Sequence, residues 1–287
     1  MYFGEIPPAV VRRRLHVDDD YTLSGLLGFG VLDRAAGPVL ADLTQHANNR
    51  GIEVTAQPLE APTFAHALDV VAHLPTGPRR LWLAPVMGTA MMAYYAHMAC
   101  LLGAEALVLA GSAGGLAEGM VVGDLVVPPQ VTGNDNAALY ARHGRDGVQQ
   151  GPHGPQVTPD PRLADALAAR LQDLLPETRL WRTDTVTCEM IGAETAADVA
   201  GWSAAGFAAV EMEAAVVCAV AAAFDVPAAA AVYVADALVS GETVYHPTYV
   251  DSRAVRSASR RAVVGAAFDV LLDYAPSRNA RTAADSA

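Results

Sequence analysis

Residues Val210 to Asp236, VEMEAAVVCAVAAAFDVPAAAAVYVAD, constrain the fold more than any other stretch of the chain. Two acids flanking a methionine (Glu211, Met212, Glu213) open an Ala/Val-rich run. It breaks at Asp225-Val226-Pro227 and resumes as an apolar segment that ends on a lone acid, Asp236. The first run predicts a helix and the second a strand, and side chains this small and apolar place both in the interior. Burying a carboxylate is costly unless it is paired or hydrogen-bonded. Three carboxylates at the ends of two buried elements therefore mark a site. The ordinary alternatives are that Glu211 and Glu213 sit at a helix N-terminus, where the macrodipole favours acids, and that Asp236 is an N-cap. Met212 by itself reads equally as a core residue.

The rest of the chain alternates between strands and helices. Strands are predicted over Leu26–Gly30, Ile52–Gln57, within Phe64–Leu74, and over Arg80–Val86, Ala106–Ala110, Met120–Pro128, Leu180–Thr187 and Phe207–Val210. Helices are predicted over Pro38–Asn48, Ala90–Leu102, Arg162–Leu175, Ala196–Ala205 and Arg253–Tyr274. This order implies an α/β chain with a mostly parallel sheet. Gly111-Ser112-Ala113-Gly114-Gly115 reads as a Gly-rich turn after a core strand, and Gly30 to Arg34 as a strand-to-helix turn whose free N–H groups suit an anion. From Thr132 to Pro161 the chain becomes polar and rich in Gly and Pro, as expected of a long surface excursion. With no repeat and no linker, one domain is expected over 25–275, with an N-terminal extension over 1–24 and a flexible tail over 276–287. The arginines Arg12, Arg13 and Arg14 face Asp18, Asp19 and Asp20. They read as simple charge pairing, or as a contact to an anionic ligand or a neighbouring subunit.

Composition excludes several classes. A net charge of −12 argues against nucleic acid or anionic membrane as partner. The three cysteines have no metal-ligand spacing, so no zinc site is expected, and Cys100 and Cys218 read as core. The N-terminus has its arginines behind an apolar stretch, the wrong order for a secretory signal, and no apolar run spans a bilayer. A cytoplasmic location is the default expectation.

Three segments together resemble the nucleoside phosphorylase and nucleosidase family. Ala110-Gly-Ser-Ala-Gly-Gly-Leu116 followed by Val122-Gly-Asp-Leu-Val-Val127 is similar to its "GSAGGL…VGDIVV" pattern. Val210-Glu-Met-Glu-Ala-Ala215 matches "VEMEAA", and Val232 to Asp236 matches the strand end that carries the family's catalytic acid. Met87-Gly88 stands where the family turns into its first long helix. The resemblance covers roughly Leu81 to Tyr274, with a weaker echo at Gly30–Arg34. It implies a single-domain phosphorylase/hydrolase-like fold, a mixed central sheet flanked by helices, and cleavage of an N-glycosidic bond. It implies Asp236 as the acid that protonates the leaving base, and Glu213 as the clamp on the ribose hydroxyls. Met212 would pack on the sugar, with the backbone of Val210 and Glu211 bordering the base and Gly111 and Ser112 facing the nucleophile. Where the family places an aromatic on the base, this chain has Met190 or Ile191, with Glu189 beside them as a further polar contact.

The attacking group is the open question. Phosphorylases of the family carry an arginine two residues before the Gly-Ser pair. Here that position is Leu109, and a leucine cannot hold a phosphate. Arg34 has the spacing of another phosphate-binding arginine, whereas Asp33 is the nearest acid able to activate water. The balance favours hydrolysis of a nucleoside, expected to be a purine one, to free base and ribose. Phosphorolysis to ribose 1-phosphate, a nucleotide N-glycosidase using Arg34 and the basic triplet, and a non-catalytic nucleoside sensor are the alternatives. No metal or organic cofactor is implied. Expected partners are the small-molecule substrate, inorganic phosphate if the reaction is phosphorolytic, and copies of the same chain in a dimer to hexamer.

Overall fold

The computed structural model describes residues 6–30, 36–59, 66–134, 154, 156–189, 191, 194–241, 243–244 and 247–274. Among these residues twelve strands join in one sheet. They are β1 (Gly25–Gly30), β2 (Glu53–Pro58), β3 (Leu68–Leu74), β4 (Gly77–Val86), β5 (Ala106–Gly115), β6 (Leu125–Val126), β7 (Val131–Asn134), β8 (Gln156–Val157), β9 (Leu180–Trp181), β10 (Thr185–Cys188), β11 (Ala209–Glu211) and β12 (Ala228–Ala237). The order runs β2-β3-β4-β1-β5-β11-β10-β7-β8, with β12 paired to β5 and to β6, and β6 to β9. β1, β4, β5 and β12 run parallel, while β2–β3, β3–β4, β5–β11, β6–β12 and β7–β8 are antiparallel. The chain is a single-domain α/β fold with a mixed sheet.

Helices cover both faces. Thr89–Leu101 and Ala214–Ala223 bury one face, and Pro8–Arg14 adds Val11 and then Leu15 to the same apolar cluster. Ala36–Asn49, Pro161–Leu174 and Arg253–Asp273 bury the other. In Ala214–Ala223 every residue from Ala214 to Ala221 is buried, so no polar face exists. Ala, Val and Cys side chains let this helix lie close to the sheet and to Thr89–Leu101. Asp160 caps its helix by accepting the Leu163 N–H at 3.0 Å, and Thr195 with Asp198 forms a capping box.

Three expectations need correction. Gly111–Gly115 is not a turn: β5 continues through it, paired with Val232–Ala237 of β12. Space rather than a turn favours small residues there: a Cβ on Gly111 would lie 3.1 Å from the Gly30 carbonyl oxygen, and one on Gly114 would meet Leu238 Cδ1 at 2.5 Å. The strand predicted over Met120–Pro128 shrinks to Leu125–Val126. A turn with Gly123 at φ +96° precedes it, held by the Asp124 carboxylate, which accepts from the Val121 N–H and from Trp181 Nε1. Leu180–Thr187 divides into β9 and β10 because the chain changes partners, β9 lying on β6 and β10 between β7 and β11. Arg12 donates to the Tyr21 carbonyl at 2.8 Å rather than to the neighbouring acids. Most of the polar excursion and the whole of 276–287 lie outside the described residues. Among the described residues no helix is long and apolar enough to cross a membrane, and no cluster of His, Cys, Asp and Glu has the arrangement of a metal site.

Candidate active site

One edge of β5 carries β12 as far as Gly115. The opposite edge carries β1 as far as Gly111, then β11 from Gly114. On that edge, between these two partners, no described strand lies beside Ser112 and Ala113. A crevice opens where a sheet changes partners, outside the C-terminal ends of parallel strands, and such places are natural ligand sites. The cleft here is lined by Gly30 from the end of β1, Ser112 to Gly114 from β5, and Val210 to Glu213 from β11 and beyond. Ala235 and Asp236 of β12 join them, with Ile191, Glu194, Val244 and Tyr249.

The two acids of the Glu-Met-Glu segment divide their tasks. Glu211 is 4% exposed and saturated from within. One carboxylate oxygen accepts the N–H groups of Glu213 and Ala214, both at 2.6 Å, and the other accepts the Thr187 hydroxyl. Thr187 Oγ1 in turn accepts the Ala215 N–H at 2.9 Å. Together they satisfy the first N–H groups of the buried helix Ala214–Ala223, which otherwise have no partner. Glu213, 3% exposed, reaches across to the Gly88 N–H at 2.5 Å and retains capacity toward the cleft. Gly30 makes room for it, since a Cβ there would lie 2.8 Å from Glu213 Oε2. Burial, and then the Glu211 charge, push Glu213 up to about 8, against the pull of two backbone N–H groups.

Asp236 lies one residue before the end of β12, where a register shift between Val234 and Asp236 marks a bulge. It is 7% exposed, and Val244 N–H donates to its Oδ2 at 3.2 Å. Burial raises it to about 6, while that N–H and the Arg256 charge hold it lower than burial alone would. Arg256 stacks 3.4 Å from the Tyr249 ring centroid at the cleft wall. A carboxyl group poised near neutral pH at the end of a cleft is suited to deliver a proton.

The cleft therefore brings together Asp236, Glu213, Met212, Glu211, Val210, Ser112 and Ile191 among the residues singled out in the sequence. Gly111 pairs with Gly30 at the rear of the site. Met87 is 37% exposed, and its turn contributes the Gly88 N–H rather than a side chain. Glu189 is exposed. Asp33, Arg34 and Met190 lie outside the described residues. Leu109 is fully buried in the apolar cluster beneath the site. Sequence reasoning missed Glu194 and Tyr249. Both belong to polar segments without periodicity, and only their position at a loop edge next to predicted strands hinted at them.

The sequence profile of the phosphorylase superfamily matches residues 35–268. No curated protein gives a significant match. Among solved structures, the chain is similar to a 5′-methylthioadenosine/S-adenosylhomocysteine nucleosidase from Neisseria meningitidis, crystallised with methylthio-immucillin-A. The TM-score is 0.61 at 21% identity, over 86% of this chain and 99% of that one. It is also similar to a uridine phosphorylase from Vibrio fischeri, with a TM-score of 0.67 at 12% identity, over 90% of this chain and 95% of that one. At these identities the likeness is one of fold.

Proposed function

The chain belongs to the phosphorylase superfamily, and on that premise we propose that it hydrolyses the N-glycosidic bond of a nucleoside, of purine type, to free base and ribose. One observation carries this reading. Four carboxylates, Glu194, Glu211, Glu213 and Asp236, line the cleft, and no lysine or arginine is among its described lining residues. Such a surface favours a cationic transition state and repels an attacking phosphate.

The chemistry follows from the positions. Asp236 gives its proton to a ring nitrogen of the base as the bond to C1′ breaks and the bonding electron pair leaves with the base. Glu213 hydrogen-bonds the ribose hydroxyls through its two carboxyl oxygens, and in its ionised form, which burial and the Glu211 charge hold back to about 8, it opposes the positive charge growing on the sugar. Met212 gives the sugar an apolar wall. Water enters along the open edge of β5 near Ser112 and bonds to C1′, and the proton it loses passes to a carboxylate base, for which the sequence offers Asp33 as the proposed acceptor. Asp33 then releases that proton to solvent while Asp236 regains one from it, so the enzyme is restored and the sum is nucleoside plus water to base plus ribose. Leu109, buried among apolar side chains, offers nothing to an anion. The kinship with a nucleosidase supports this class of reaction, while that with a uridine phosphorylase keeps phosphate as the competing nucleophile. We also propose that the chain acts as a homo-oligomer in the cytoplasm, and sedimentation as a fully active monomer would contradict the first point.

The test is base release from a panel of nucleosides and 5′-nucleotides, each with and without inorganic phosphate. Release in phosphate-free buffer, unchanged by added phosphate, is expected. Release that requires phosphate and yields ribose 1-phosphate would overturn the hydrolytic reading and assign the anion to Arg34. Preference for 5′-nucleotides would identify a nucleotide N-glycosidase.

A further inference from the structure

The cleft holds two buried carboxylates two residues apart and serves them unequally. Glu211 has donors on both oxygens, the Glu213 and Ala214 N–H groups on one and the Thr187 hydroxyl on the other. Glu213 has the Gly88 N–H on Oε1 at 2.5 Å and the lesser pull of the Met212 N–H. The described groups that face Glu213 bring no positive charge. Gly30 presses on Oε2 from the end of β1, Gly88 stands before helix Thr89–Leu101, and Glu211 comes from β11. The other ionisable groups lining the cleft are Glu194, Asp236 and Tyr249, while Arg256 acts on Asp236 from outside that lining. Two carboxylates buried this close cannot both remain ionised without donors to hold them. Glu211 has its donors, so the proton of the empty cleft falls to Glu213. Burial, and then the Glu211 charge, raise it to about 8 accordingly.

We propose that a nucleoside enters this cleft by displacing a proton from Glu213, and that a vicinal pair of sugar hydroxyls displaces it. This rests on the glycosidase reading above. Two O–H groups directed at the carboxyl oxygens give Glu213 the donors that Glu211 already has, and hydrogen bonds to the ionised form favour that form. The step balances. Protonated Glu213 and a neutral nucleoside become a Glu213 carboxylate with the nucleoside bound, and the proton passes to solvent. The negative charge then stands against the sugar just when positive charge is to grow there. A sugar lacking one hydroxyl brings one donor fewer and leaves more of the proton in place. Ribonucleosides are therefore bound in preference to deoxyribonucleosides, and their binding tightens as pH rises. Below about 8 the free protein holds a proton that the complex has lost, and above that value there is none to displace.

The experiment is calorimetric titration of Asp236→Asn, in which base release is slow and the carboxyl at that position no longer titrates. The ligands are adenosine, inosine and their 2′-deoxy forms, in two buffers of equal pH and unequal ionisation enthalpy, whose difference in heat counts the protons exchanged. At pH 7 each ribonucleoside should release close to one proton, and Kd should fall at least about tenfold from pH 6 to pH 8.5. The 2′-deoxy forms should release less than half as much. Asp236→Asn combined with Glu213→Gln, which keeps the size of the side chain and an oxygen for the Gly88 N–H, should release none. Its Kd should stay within about threefold over the same pH range. Binding without proton release, or release undiminished by Glu213→Gln, overturns the inference. Deoxynucleosides that release as many protons as ribonucleosides overturn the role of the diol. Base release by the wild type, with no proton displaced on binding, would sink this inference alone. No binding of any nucleoside and no base released would sink the glycosidase reading with it.

Discussion

Replacing Glu211 with alanine tests whether this acid is a structural anchor or a substrate contact. The substitution removes the acceptor of two backbone N–H groups at 2.6 Å and of the Thr187 hydroxyl, at a position only 4% exposed. Two bonds to a charged acceptor at about 1.5–3 kcal/mol each and a hydroxyl bond at about 1 kcal/mol set a gross loss of about 4–7 kcal/mol. Removing the charge eases the ionisation of Glu213, an offset of about 1.4 kcal/mol for each unit by which that group falls. A net loss of about 3–5 kcal/mol remains, the range found when partners of a buried charge are stranded. At about 2 °C per kcal/mol for a chain of this size, the melting temperature should fall by about 6–10 °C. Glu211→Gln keeps an oxygen for both N–H groups and turns its NH2 toward Thr187 Oγ1, so it should lose less than half as much. Circular dichroism melts of both variants, with urea midpoints as a second measure, provide the assay. A Glu211→Ala protein melting within 2 °C of wild type, with KM raised instead, would refute the anchoring role and return Glu211 to the substrate.

The other predictions concern the cleft itself. Asp236→Asn should lower kcat by a factor of about 10²–10⁴, the usual weight of a general acid, while substrate binding measured by calorimetry stays within a few-fold; equal activity would demote Asp236. Gly30→Ala places a methyl group 2.8 Å from Glu213 Oε2, a flexible side-chain end. It should therefore raise KM at least tenfold with a melting temperature within about 3 °C of wild type, and an unchanged KM would show that Glu213 does not grip the substrate. Stability should depend on pH in a definite direction. Glu213 at about 8, Glu194 at about 7 and Asp236 at about 6 all lie above their unfolded values. Between those values and the unfolded ones the native state binds more protons, so these groups lower stability as pH rises from about 4.5 through 8. Melting of the ligand-free protein should thus be higher at pH 6 than at pH 8.5. In Glu213→Gln the slope should flatten, and an unchanged slope would locate the proton uptake elsewhere.

Much of the fold was legible because its signals are local. Runs such as Leu107-Val108-Leu109-Ala110 and Ala228–Val234 have no polar face, so they can only be buried strands. The all-apolar run from Ala214 to Ala221 likewise admits only a buried helix. Acids at the ends of such elements are conspicuous by the cost of burying them, and for that reason Glu211, Glu213 and Asp236 could be singled out. The errors were local too. Gly111–Gly115 has the composition of a turn, but what decides its conformation is a ladder to β12 in a distant part of the chain.

Tertiary structure alone decided how the acids are used. Glu211 and Glu213 are two residues apart and chemically identical. One faces the N–H groups of its own helix and the other a glycine 125 residues away. No pattern in the sequence separates them, because the distinction depends on which distant backbone group each side chain meets. Glu194 and Tyr249 join the cleft for the same reason: loops without periodicity are placed by the elements they connect. The identities and ends of the elements follow from short-range sterics and burial, which the chain carries residue by residue. The pocket is the gap between β1 and β11 along one edge of β5, and it exists only once strands far apart in sequence have paired.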